Sequence, residues 1–301
     1  MSVAAVGKMS PITDAPPRPE PVIPHTVPGV LEGLGDDRLN SVLGKCLAML
    51  DAIDRSRAKS LTGAELSRAS GVPKASCHRL AARLVDYGML DKVGERYSIG
   101  IHLFELAHTV PHLRRLREAA MPHLVDLYAY SHEVVHFGIL VGTDVLYLEK
   151  LAGTRSPSVP SAVGRRMPSH CTGLGKAILA FSKANVLREV FSRPLKRTTK
   201  YTIVVPSLLA GQLSKVRAER IAYEHDESIL GFSCIAAPVL GRDNRAVAAI
   251  SITVPSCRFR ADAMKKQLMV TASLLANAVA PDPSEGGTGA TRAWPLAALS
   301  H

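Results

Sequence analysis

Long apolar runs are missing from this 301-residue chain. No stretch approaches the roughly eighteen consecutive apolar residues of a membrane span, and the first residues hold no apolar signal-peptide core. No membrane partner is therefore expected, and the protein reads as cytoplasmic. Cysteine is sparse and unpaired in pattern. Cys46, Cys77, Cys171, Cys234 and Cys257 are odd in number, widely spread and without a C-x-x-C pair, which argues against a disulfide framework or a zinc knuckle and for reduced thiols. Acidic residues are outnumbered, 26 against 37 Lys and Arg, leaving a net charge of +11. On charge alone that excess favours an anionic partner, nucleic acid or an anionic membrane surface. The single tryptophan, Trp294, lies in a Gly-rich tail and carries no binding signal.

The length suits two domains, each with a core of its own. Residues 1–37 are rich in proline and small residues without a sustained period, and 281–301 repeat that character, so both ends read as disordered. Between them, Ser41–Asp54 carries Val42, Cys46, Met49, Leu50 and Ile53 on one helical stripe.

The informative segment is Leu61–Ile99. Thr62 with Glu65 three residues on forms a capping box for a helix through Ala69, and Gly71 allows the positive φ of a tight turn. Pro73 is suited to the first position of a second helix. In that helix Cys77, Leu80, Ala81 and Leu84 share one face, while Ala75, His78, Arg79, Ala82 and Arg83 fall opposite. Small residues let a helix backbone sink into the major groove, and Arg bonds in bidentate fashion to guanine. Gly88 is suited to the helix end. Met89-Leu90 and Tyr97-Ser98-Ile99 then flank Val93-Gly94-Glu95 as a hairpin wing that brings Lys92 and Arg96 toward phosphate. Helix, turn, helix and hairpin make a winged helix-turn-helix. Its expected DNA contacts are Lys74, Ala75, Ser76, His78, Arg79, Arg83, Lys92 and Arg96.

Downstream, Ile101–Ala107 reads as a short apolar helix and Leu113–Tyr130 as a long one, with Arg114, Arg115 and Arg117 clustered at its start. From Val134 the period shifts toward two. Val134–Val141 and Val145–Leu151 bracket Gly142-Thr143-Asp144, and Ser233–Leu240 and Ala246–Val254 bracket Gly241–Asn244, giving two hairpins. Helices are expected at Gly173–Ser182, Ala184–Val190, Ser207–Glu219 and Ala261–Ala280. This is a mixed domain on a largely antiparallel sheet.

Three constellations point to chemistry. His132-Glu133-Val134-Val135-His136 spells the H-E-x-x-H of zinc hydrolases, the rival reading from another class. The strand-like run that follows leaves no continuing helix to bring both imidazoles to one metal. Gly173-Leu174-Gly175-Lys176 falls short of a phosphate loop, since His170 and Ala177 stand where Gly and Ser or Thr are required. Thr172 still caps a helix whose free N–H groups form an anion seat. His170-Cys171 lacks an orienting carboxylate, so a thiol nucleophile is not expected.

Gly-Val-Pro-Lys-x-Ser-x-His-Arg-Leu at 71–80, Met-Pro-Ser-His-Cys-Thr-Gly-Leu-Gly-Lys-Ala at 167–177 and Gly-Phe-Ser-Cys-Ile-Ala-Ala-Pro-Val at 231–239 resemble the IclR family of bacterial transcriptional regulators. The resemblance spans roughly residues 39–280. It implies an α+β chain: a winged helix-turn-helix at 38–100, a linker helix at 101–111 and a GAF-like effector domain at 112–280. It also implies a homodimer or homotetramer formed through the DNA-binding domain and linker. Such a protein binds a palindromic operator on double-stranded DNA as repressor or activator, without catalysis or cofactor. Its effector would be a small organic or aromatic acid, placed by the resemblance against Gly173, Leu174, Glu224, Cys234, Ser251 and Thr253. A charged Glu224 would repel a bare dianion, so it either accepts a hydrogen bond from a ligand hydroxyl or is itself protonated, and a hydroxylated or keto monoacid is expected over a simple dicarboxylate. Arg220 stands where the family's helix usually ends on Gly.

Overall fold

The structure is a computed structural model, and it describes residues 40–279 except Arg155. The two terminal segments read as disordered, and Trp294, lie outside the described residues. Helix α1 (Val42–Arg55) is capped by the Ser41 hydroxyl, which accepts from the Gly44 N–H. It is followed by β1 (Ser60–Thr62), α2 (Gly63–Ser70) and α3 (Lys74–Asp86). The capping box forms as the sequence predicts: Thr62 Oγ1 accepts from the Glu65 N–H, and the Glu65 carboxylate accepts from the Thr62 N–H. Gly71, at φ 71°, turns the chain between the helices. Pro73 is not the first helical residue. It holds an extended ψ of 139° and caps α3, its carbonyl accepting the first helical bond from Cys77.

Met49, Ile53, Leu66, Cys77, Leu80 and Leu84 close one small core. Val42 belongs to the expected stripe yet lies exposed at the first turn, ahead of the packed region. Strands β2 (Leu90–Val93) and β3 (Arg96–Ile99) form the wing, and β1 pairs with β3 on its other side. Helix α4 (Ile101–His108) buries no residue, leaving Ile101 and Phe104 more than 60% exposed.

Helix α5 (Pro111–Ser131) opens the second domain, followed by β4 (Val134–Val141), β5 (Asp144–Leu151) and β6 (Arg166–Pro168). Two of the three arginines at the start of α5 meet this chain's own carboxylates: Arg114 pairs with Glu118, and Arg117 with the buried Glu149 on β5. Then come α6 (Gly173–Ala180), α7 (Ala184–Phe191), α8 (Pro206–Glu219), β7 (Ala222–His225), β8 (Phe232–Leu240), β9 (Ala246–Pro255) and α9 (Ala261–Ala278). The strands form one antiparallel sheet in the order β6-β5-β4-β9-β8-β7. Helices α5 and α9 cover one face through Leu116, Leu124, Leu268 and Leu275, and α6 to α8 cover the other through Leu174, Ile178, Leu209 and Leu213. The central strands are buried on both faces, which is why they read as near-continuous apolar runs.

Candidate nucleic-acid interface and effector cavity

The solvent face of α3 presents Lys74, Ala75, His78, Arg79 and Arg83, all exposed, with Ser76 half-buried. The buried face anchors the helix, so these side chains stand outward together. Arg83 makes a loose exposed pair with Asp86 at 3.7 Å. In the wing, Lys92 lies 5.4 Å from the centre of the Tyr97 ring and keeps its ammonium in solvent. Arg96 departs from expectation. Its Nε donates to Ser60 Oγ at 3.0 Å, its Nη2 donates to the Ser60 carbonyl at 2.8 Å, and Glu65 stands beside it at 3.6 Å. The short strand β1 brings Ser60 opposite the wing, so Arg96 pins the wing to the domain instead of reaching outward.

In the second domain, the start of α6 abuts β8 and β9. Thr172 caps the helix by accepting from the Gly175 N–H at 3.1 Å. Gly173 lies so close to Cys234 that a Cβ there would meet its Sγ at 2.8 Å. A small cavity of about 20 Å³ lies here, with Gly173, Leu174, Glu224, Cys234 and Thr253 on its wall as the sequence reading placed them. That volume holds about one water. Ser251 does not reach the wall: it hydrogen-bonds the Cys234 thiol and sits beside it. Strand alternation put Ser251 on the same side as Thr253, but it lies two residues along β9, paired with His136 and Ala236.

His136 is the residue that sequence reasoning left out of this site. The H-E-x-x-H run straddles a helix end, with His132 in the left-handed C-cap of α5 and His136 inside β4. The five residues share no helical face. His136 is buried on the cavity wall, its Nε2 2.7 Å from Ser161 Oγ and its Nδ1 3.3 Å from Thr253 Oγ1. Burial, reinforced by the Lys150 charge, pushes its pKa down to about 3, so the imidazole is neutral. Lys150 donates to the carbonyls of Val159 and Ser161, each at 2.7 Å, and so holds the segment that brings Ser161 to the histidine. A lone His within the apolar run Val134–Val141 was the available signal.

Glu224 is buried, and its Oε1 accepts from the N–H groups of Glu227 at 2.6 Å and Ser228 at 3.0 Å. Burial pushes its pKa up to about 8 against those two bonds, and the neighbouring Glu227 carboxylate adds to the rise. A pKa raised this far favours the protonated form at neutral pH, the second of the two states expected for Glu224, and lessens the repulsion of a dianion. Glu227 in turn pairs with the fully buried ammonium of Lys176. The thiols of Cys171 and Cys234 are pushed up to about 12 by burial, and Cys171 contacts Thr198 and the Pro168 carbonyl, whereas His170 bonds the Lys196 carbonyl. No thiolate–imidazole pair forms.

An exposed basic helix within a winged helix-turn-helix, joined to a domain with a small cavity at the start of α6, defines a DNA-binding regulator with an effector domain. The description "Bacterial transcriptional regulator IclR C-terminal" matches residues 108–280, and "IclR helix-turn-helix domain" matches 42–94. The chain belongs to the IclR family, whose members are transcriptional regulators and not enzymes.

It is 32% identical over 230 residues to the HTH-type transcriptional regulator KdgR of Dickeya chrysanthemi, covering 75% of this chain and 74% of that protein. It is 28% identical over 251 residues to the Pca regulon regulatory protein of Pseudomonas putida, covering 81% and 86%. Its fold resembles that of an IclR homolog from Microbacterium hydrocarbonoxydans complexed with 4-hydroxybenzoate, at a TM-score of 0.72 and 24% identity over 79% of this chain and 99% of that one. The Thermotoga maritima IclR gives 0.66 at 27% identity, covering 79% and 98%.

Proposed function

We propose that this regulator binds a palindromic operator through α3 and releases or tightens that grip when a small organic acid occupies the cavity at the start of α6. One observation carries the reading: the free N–H groups after Thr172 and the Glu224 carboxyl, whose pKa burial raises to about 8, border a single cavity, with the neutral His136 on its wall bonded to Ser161 and Thr253. The helix-start N–H groups supply the donors for a carboxylate, and the raised Glu224 pKa lessens the negative charge that would oppose it. The IclR homolog of Microbacterium hydrocarbonoxydans holds 4-hydroxybenzoate, a hydroxylated monoacid, and that chemistry fits these donors. The inner cavity is too small for such a ring as it stands, so binding requires Leu174 to give way or the ligand body to extend outward past Tyr147. The exposed apolar side chains of α4 favour a homo-oligomer, in which a second copy covers them. No helix among the described residues is long and apolar enough to cross a membrane, in keeping with a cytoplasmic protein.

The test pairs operator binding with a thermal-shift screen of carboxylic acids. Arg79→Ala should lose about 1–3 kcal/mol on the specific operator and far less on random DNA. A hit acid should stabilise the protein and change operator affinity, and His136→Asn should weaken it. Equal losses of Arg79→Ala on both DNAs, or no stabilising acid, defeats the respective half of the reading.

A further inference from the structure

A second, larger cavity of about 310 Å³ lies between the two domains and shares Tyr147, Ser161, Ser228 and Ile229 with the inner one. Most of its wall is apolar, and cationic side chains enter it from both sides. Arg55, Arg57 and Lys59 come from the end of α1 and the turn after it, and Arg165, Arg166 and Lys196 come from the effector domain. Among the described residues lining it, none is a carboxylate. Arg55 pairs with Asp51, and Asp54 serves both Lys59 at 3.1 Å and Arg165 at 3.0 Å. The Arg165 guanidinium also donates to the Asp54 carbonyl at 2.8 Å, which fastens the two domains across the cavity. Arg57 and Arg166 have no ion-pair partner among the described residues, and the Ser56 hydroxyl on the same wall is buried without a hydrogen-bond partner. Cations gathered around one partly open space repel, and an anion bound between them relieves that repulsion. An unsatisfied hydroxyl in such a place asks for a partner.

We propose that this chamber binds a small polyanion, a di- or tricarboxylate or a phosphorylated metabolite, which bridges Arg57 and Arg166 and so links ligand occupancy to the placement of the DNA-binding domain. The proposal rests on the regulator reading and extends it. The 310 Å³ chamber takes the body and extra charges of the ligand, and the inner cavity takes one polar end. Neutralising both walls at once draws the domains together, which a monoanion held wholly in the inner cavity does not do. The coupling is a difference in affinity between two arrangements of the domains, as any ligand-driven shift requires.

The experiment uses the full chain at pH 7 and matched ionic strength, titrated with citrate, with inorganic pyrophosphate and with 4-hydroxybenzoate as the monoanionic control, followed by calorimetry and by operator anisotropy. Citrate or pyrophosphate should bind at least tenfold more tightly than the control, and the tighter of the two separates the carboxylate from the phosphate source. Arg57→Gln and Arg166→Gln should each weaken that binding at least tenfold, abolish the ligand effect on the operator, and leave operator affinity without ligand unchanged.

Neither probe binding, or loss of binding in Arg166→Gln alone, overturns the bridge. So does a fall in unliganded operator affinity with a smaller salt slope in either variant, which reassigns these cations to DNA phosphate. In each of these outcomes specific operator binding survives in the wild type. A chain that binds no specific DNA instead brings down the regulator reading itself.

Discussion

At the scale of single residues, Glu224 is where chemistry and stability meet. Its pKa stands near 8 in the folded protein against an ordinary value of 4.5. Between these values the folded protein keeps a proton that the unfolded chain has already lost, so stability falls as pH rises through that window. Urea unfolding should show this decline between about pH 6.5 and 8, with a slope approaching roughly 1 kcal/mol per pH unit for one group; below that range His136, neutral in the folded protein and protonated in the unfolded chain, adds an opposing rise. In Glu224→Gln the slope should flatten; an unchanged profile would remove the buried proton from the account. Arg220 offers a second case. It caps α8 at φ 56°, a left-handed conformation that costs a residue with a Cβ on the order of 1 kcal/mol. Arg220→Gly should therefore raise stability by about 0.5–1 kcal/mol, net of the flexibility glycine adds to the unfolded chain. A lower melting temperature would mean that the arginine side chain has partners worth more than the strain.

At the scale of elements, the wing divides its two cations between separate duties. Lys92 is free to meet phosphate, and Lys92→Ala should lower the salt slope of operator binding by about one unit. Arg96 is held by Ser60 and Glu65, so Arg96→Ala should leave the slope nearly unchanged. Its cost should appear in the melting of the winged domain, and at an exposed pair it should stay within about 1 kcal/mol. Equal changes in slope for both variants would restore Arg96 to the DNA contacts. The recognition helix itself was legible from the sequence because Cys77, Leu80, Ala81 and Leu84 recur at helical spacing, and all four are buried. Strands β1, β6 and β7 were not. Three or four residues give no measurable period, and each exists only because a distant strand offers its edge: β3, β5 and β8 respectively.

At the scale of the whole molecule, the exposed face of α4 is the surface on which the proposed homo-oligomer depends. Phe104 and Ile101 stand in solvent on a helix that buries nothing within its own chain. Introducing a charge there with Phe104→Glu should shift sedimentation toward monomer and weaken binding to a two-half-site operator, while a single half-site is bound as before. Sedimentation identical to wild type would place the interface elsewhere. The contact of Arg165 with Asp54 belongs to the same scale, since it joins the second domain to the end of α1.

What the sequence determined by itself was local: the capping box at Thr62, the turn at Gly71, the buried faces of α1 and α3, the two hairpins around Gly142 and Gly241, and the helix start at Thr172. Each depends on residues within a few positions of one another. Five of the six effector residues named from the resemblance meet at one cavity, because the motif at 167–177 and the strands β8 and β9 pack together. The tertiary structure decided the rest. His136 became part of the wall, Ser251 stayed off it, and Arg96 bonded Ser60 only when β4, β9 and β1 took their neighbours. Glu224 holds its proton because burial, which no local pattern encodes, outweighs its two hydrogen bonds. The basic chamber likewise has no sequence signature: Arg57 and Arg166 are far apart along the chain, and only the docking of the two domains sets their charges across one space.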